Sequence, residues 1–199
     1  MFLIIFGRAV QFVLLLAMMR VATTFLPPAE MGRMSLIITT TAFFALVLVN
    51  PVGMFINRRL HAWELQGHVK HYLGFYWLYL LLVGMLAAVS LTAINNLNVI
   101  GFQTSTLWLW VLVCGSLLFN TVNQTVIPSL NLLGFRGWFI ALTLGTIAAG
   151  FLAALVFILY FQPKAEYWLL GLLIGQLFLA GIGGKVFFGK LKPKGSSSK

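Results

Sequence analysis

Six runs of this sequence are each about 20 residues or more of almost unbroken apolar side chains, and nothing else constrains the fold as strongly. A helix gains roughly 1.5 Å per residue, so about 20 residues cross a hydrocarbon core some 30 Å thick. The runs cover residues 2–26, 34–56, 72–94, 106–127, 138–161 and 167–188. They predict an all-α membrane protein, a bundle of six transmembrane helices over residues 1–190, with a disordered cytoplasmic tail at 191–199. A soluble alternative fails on composition, because only 8% of the residues are charged where a soluble domain carries about a quarter.

The first run is expected to be a membrane span and not a signal peptide. It has no basic head, and Arg8 and Arg20 lie inside it. The lone Cys114 falls in an apolar run and is assigned to packing, so no disulfide framework is expected.

The net charge of +10 does not point to nucleic acid, because the basic residues are sorted by loop and not along one soluble face. One set of loops and the tail hold Arg58, Arg59, Lys70, Arg136, Lys185, Lys190, Lys192, Lys194 and Lys199, whereas the opposite loops hold only Arg33 and Lys164. That asymmetry predicts both ends on the cytoplasmic side. Pro27-Pro28, Asn95-Asn96 and Pro163 punctuate the loops. The stretch 57–71 is expected to be the longest loop, with an interfacial turn near Leu60 and Trp63.

Polar residues inside the runs are costly in hydrocarbon and face the bundle interior or water. At about 100° per residue, Ser35, Thr39, Asn50, Gly53 and Asn57 fall within about 60° of one another and form a stripe on the second span. Ser116, Asn120, Asn123, Gln124 and Asn131 make a broader stripe on the fourth, where Pro128 is expected to bend the helix. Each amide taken singly is interhelical glue. Two stripes together favour a hydrated cavity. Ala141, Gly145, Ala149 and Ala153 on the fifth span, with Gly171 and Gly175 on the sixth, are close-packing surfaces.

Arg8 and Arg20 are the sharpest candidates for function. The chain has no Asp, and Glu30, Glu64 and Glu166 are expected in loops, so neither arginine has a buried acidic partner. An anionic ligand or the headgroups of membrane lipids would supply the countercharge, while snorkelling to the nearer interface is the structural alternative. His61, Glu64, His68 and His71 match no compact zinc spacing and are assigned to a solvated loop. Neither a His-Glu-x-x-His run nor a Gly-x-Ser-x-Gly elbow occurs, so no enzyme chemistry, metal or cofactor is expected.

The stretch Leu26-Pro27-Pro28-Ala29-Glu30-Met31-Gly32 before Arg33, with the second-span ending Asn50-Pro51-Val52-Gly53 through Asn57-Arg58-Arg59, resembles the opening of oligosaccharide flippases. These belong to the multidrug/oligosaccharidyl-lipid/polysaccharide exporter superfamily. Asn131-Leu132-Leu133-Gly134-Phe135-Arg136 is similar to that family's fourth loop, whereas Met31 stands where the family usually has an aromatic. The resemblance implies one six-helix lobe of a twelve-helix exporter in a bacterial inner membrane. Its substrate would be a lipid-linked anionic glycan, and its partner a second six-helix half or a second copy in a homodimer. On that reading Arg8, Arg20, Asn50, Arg58, Asn120, Asn123, Gln124 and Arg136 contact the substrate. A membrane scaffold subunit assembled on the small faces of the last two spans, moving no substrate, is the alternative.

Overall fold

The computed structural model describes residues 2–66, 69–96, 105–132 and 134–190. The predicted tail at 191–199, together with Gly67 and His68, lies outside them. The described residues form helices α1 (Phe2–Phe25), α2 (Pro28–Phe44), α3 (Asn50–Gln66), α4 (Val69–Asn96), α5 (Thr106–Leu132), α6 (Arg136–Tyr160) and α7 (Ala165–Lys190). A π-helical turn, Ala45–Val49, joins α2 to α3, and together they make one membrane-length element, Pro28–Arg59. Six elements are therefore long and apolar enough to cross a membrane, as the runs predict. Helix is the form such runs must take, since hydrocarbon offers no partner to a backbone N–H or C=O and each must be satisfied within its own segment.

Two expectations are corrected at the loops. Only Leu26 and Pro27 separate α1 from α2, and Pro28 takes the helix's first position, where a missing N–H costs nothing. Glu30 and Arg33 are thus helical. One Glu30 oxygen accepts from Arg33 Nη1 at 2.9 Å, and the other accepts the backbone N–H of Ala165 at 2.9 Å, capping the first turn of α7. A carboxylate there complements the partial positive charge of a helix N-terminus. Likewise α3 runs to Gln66, so most of the expected long loop is helix. The α5–α6 link is short because Gly134 adopts φ +88, a left-handed conformation only glycine takes freely, while Phe135 N–H returns to Leu130 O at 2.8 Å.

The bundle is organised around α7, which packs on α6 most extensively, then on α5, and also on α2. Gly171 and Gly175 face the backbone of α6 at Ala153–Ala154 and Ala149–Gly150, so close that any Cβ would overlap it. The small faces predicted on the last two spans therefore meet each other. Gly84 meets Cys114 in a similar but looser way between α4 and α5, with 3.4 Å from a notional Cβ to the Cys114 Cα. By contrast α1 rests on α6 and a little on α2, leaving Phe6, Phe12, Val13, Leu16 and Met19 exposed. Helix α5 continues unbroken through Pro128.

Gly175→Leu should push α7 off α6 and lower stability by at least about 1 to 3 kcal/mol, seen as a depressed Tm of the detergent-solubilised protein. Gly74→Leu, at a position with no atom within 4 Å of a notional Cβ, should leave Tm nearly unchanged.

Candidate functional site

The site begins with Pro51. A proline ring inside a helix clashes with the carbonyl one turn earlier and donates no hydrogen bond. The π turn lies immediately before it, where Asn50 N–H bonds to Ala45 O, five residues back instead of four. Within the turn the carbonyl of Leu48 accepts from the Tyr79 hydroxyl of α4 at 2.8 Å. One extra residue in a turn resets the phase of every side chain after it.

This reset divides the stripe expected on the second span. Before the turn, Ile37, Thr41 and Ala45 face inward, while Ser35 and Thr39 are exposed on another face. After it, Asn50, Gly53 and Asn57 face inward. Two cavities follow. One, of about 240 Å³, lies among α2, α5 and α7; it is mostly apolar, with Ser116, Asn120 and Gln176 as its polar margin. The other, of about 200 Å³, lies between α3 and α5 and is lined by Asn50, Asn57, Asn120 and Gln124, with Thr121, Thr125 and Tyr76. Ala45 and Asn120 line both, so the two adjoin.

The amides are the groups with bonding capacity to spare. The hydroxyls of Thr41, Ser116, Thr125 and Ser129 are each bonded to a carbonyl of their own helix. Gln124 donates to Asn120 Oδ1 at 3.2 Å, and Asn50 and Asn57 make no side-chain hydrogen bond among the described residues. A carboxamide carries two donors and an acceptor oxygen, so the cluster presents a neutral surface suited to hydroxyls and amides of a ligand. The Tyr76 hydroxyl is buried beside it without a partner.

The remaining sequence candidates lie elsewhere. Asn123 turns to α7 and donates to the Gln176 carbonyl at 3.2 Å, while its own oxygen and that of the Gln176 side chain are buried without partners. Arg8 is exposed on α1, bonded to Gln11 at 2.8 Å and 6.0 Å from the Phe139 ring centre. Arg20 is exposed on α1 and forms no ion pair among the described residues, its backbone carbonyl accepting from Thr23 and Thr24. Arg58 and Arg136 are exposed on α3 and α6. None of the four arginines lines either cavity. Among the described residues no group of His, Cys, Asp or Glu is placed to hold a metal, and the side chains of His61, Glu64 and His68 lie outside them.

Sequence reasoning missed Tyr76, Thr121, Thr125 and Gln176. Their helical spacing relative to Asn50 and Asn120 is unremarkable, and only the packing brings them together.

Fold and cavity define a class: an α-helical integral membrane protein with an uncharged polar chamber inside a six-helix bundle. The chain matches no protein-family profile, no characterised protein and no solved structure.

In a Cys114→Ala background, Asn57→Cys and Asn120→Cys should react with a membrane-impermeant thiol reagent, whereas Ala88→Cys, at a fully buried position, should not. Equal shielding of all three, read by mass shift, would mean a dry bundle.

Proposed function

We propose that the chain is one lobe of a membrane transporter that moves a polyprenyl-pyrophosphate-linked oligosaccharide across a bacterial inner membrane by alternating access. It works with a second six-helix half or a second copy of itself, and both ends lie in the cytoplasm. The observation carrying this reading is the amide cluster of Asn50, Asn57, Asn120 and Gln124 between α3 and α5. Glycan hydroxyls need such donors and acceptors if they are to leave water without losing hydrogen bonds. No covalent chemistry is required. The barrier is the cost of carrying a polar headgroup through hydrocarbon, and a hydrated path lowers it.

The arginines fit this reading as a second element. Arg8 and Arg20 are exposed on α1, the helix with least cover in the bundle, and a partner lobe seated there would share them. A pyrophosphate passing along that seam meets charge, while its sugars meet amides. Arg136 opens α6 and Arg58 lies beside the end of the membrane-length element Pro28–Arg59, both on the basic side, where an anionic headgroup arrives first.

The Asn123–Gln176 contact and the backbone-tight α6–α7 packing favour the scaffold alternative, because both are features of a solid bundle. Transport assays separate the two. Arg20→Ala should cut glycan export about 10- to 100-fold, the equivalent of about 1.5 to 3 kcal/mol for one charge-assisted contact, with membrane level unchanged. Asn50→Leu with Asn120→Leu should do the same. Export unaffected by either change would leave the scaffold.

A further inference from the structure

A third cavity, of about 470 Å³, opens between α3 and α4 and belongs to neither stripe. Phe55, Arg59 and Trp63 project into it at four-residue intervals along α3, and Tyr72, Phe75 and Tyr76 from one turn of α4. Its walls are ordered against one another. The Trp63 and Tyr72 rings stack with centres 4.4 Å apart and planes 19° apart, and Phe55 meets Trp63 edge-on at 6.2 Å. Arg59 lies 5.8 Å from the Phe55 ring centre and has no ion pair among the described residues. Its volume is within the range of about 300–1,000 Å³ typical of small-molecule sites.

The chemistry of this lining is selective. Aromatic faces are electron-rich and attract a cation or the polarised C–H face of a sugar ring. Arg59 already supplies a cation, so a positively charged ligand is repelled while a phosphate oxygen is drawn to the guanidinium. Tyr76 adds direction. It is 6% exposed, its hydroxyl is buried without a partner, and it lines both this pocket and the amide cavity. Its ring therefore borders both.

We propose that the α3–α4 pocket binds the phosphate–sugar junction of a lipid-linked glycan, with the phosphate on Arg59 and the first sugar ring against Trp63, Tyr72 and Phe75. The choice of a lipid-linked sugar rests on the transport reading above. A plain interfacial belt of aromatics would anchor the bundle, and a belt has no reason to distinguish sugar from no sugar.

The test measures binding of three probes to the full chain in nanodiscs by native mass spectrometry: farnesyl-pyrophosphoryl-N-acetylglucosamine, farnesyl pyrophosphate, and phosphatidylglycerol. The sugar-bearing probe should bind about tenfold tighter than the sugarless one. Tyr72→Leu or Phe75→Leu should erase that difference, and Arg59→Gln should weaken both pyrophosphates at least about tenfold. Either aromatic change suffices if the other perturbs Tm. Equal affinity for the two pyrophosphates, or binding indifferent to Arg59→Gln, overturns the proposal. Displacement of the sugar probe by equimolar phosphatidylglycerol overturns it in favour of a phospholipid headgroup site. Export that depends on Asn50 and Asn120 without Arg59-dependent binding removes the pocket and keeps the transporter. The expected binding pattern with export indifferent to every variant keeps the pocket and removes the transporter.

Discussion

Lipid tails solvate a leucine as well as a neighbouring helix does, so a membrane bundle gains nothing from hiding apolar surface and must find another source of cohesion. Here that source is the approach of α7 to α6 at Gly171 and Gly175, where backbone meets backbone. Dispersion forces fall off within fractions of an ångström, so removing two side chains brings many backbone atoms into attractive range at once. Helix α7 then carries α5 on a second side and touches α2, and α5 carries α4. Helix α1 joins at the edge, on α6 and a little on α2.

The polar interior depends on that frame in a specific way. With α5 held by α7 and α4, its Asn120–Gln124 face is fixed in space, and whether it meets polar or apolar side chains is decided by the rotation of the second span. Pro51 and the π turn set that rotation. A straight α-helix from Pro28 onward would put Asn50, Gly53 and Asn57 on the exposed face of Ser35 and Thr39 and continue the inward face of Thr41 and Ala45 to Leu48 and Val52. The bond from Tyr79 to Leu48 O ties the turn to α4. A local backbone irregularity thus determines which chemistry the chamber presents.

The six spans were legible in the sequence because run length is a direct measure of membrane crossing, and the small faces were legible because Gly and Ala recur at helical intervals. The site was legible only in part. Asn50, Asn120 and Gln124 converge as the stripes imply, but a uniform count of 100° per residue carries no term for a π turn, so Ser35 and Thr39 were grouped with the wrong face. Asn123 is three residues from Asn120, and that offset is enough to turn it from the chamber toward α7. Arg8 and Arg20 are exposed on α1, line neither cavity and form no ion pair among the described residues, so the countercharge that membrane depth calls for is not found there. The aromatic pocket was invisible for a different reason: Trp and Tyr at a helix end are expected at any interface, and a cleft is a property of two helices together.

Glu30 has a consequence for how the molecule comes to exist. Its carboxylate caps a helix that begins 135 residues further along the chain. During synthesis the hairpin of α1 and α2 enters the membrane long before Ala165 has been made, and until then Glu30 has only Arg33, one turn away, for company. The contact between α2 and the start of α7 therefore forms only after all the other described helices have been made. A ribosome halted before α7 would leave five membrane-spanning elements that lack both their tightest packing seam and the Glu30–Ala165 latch.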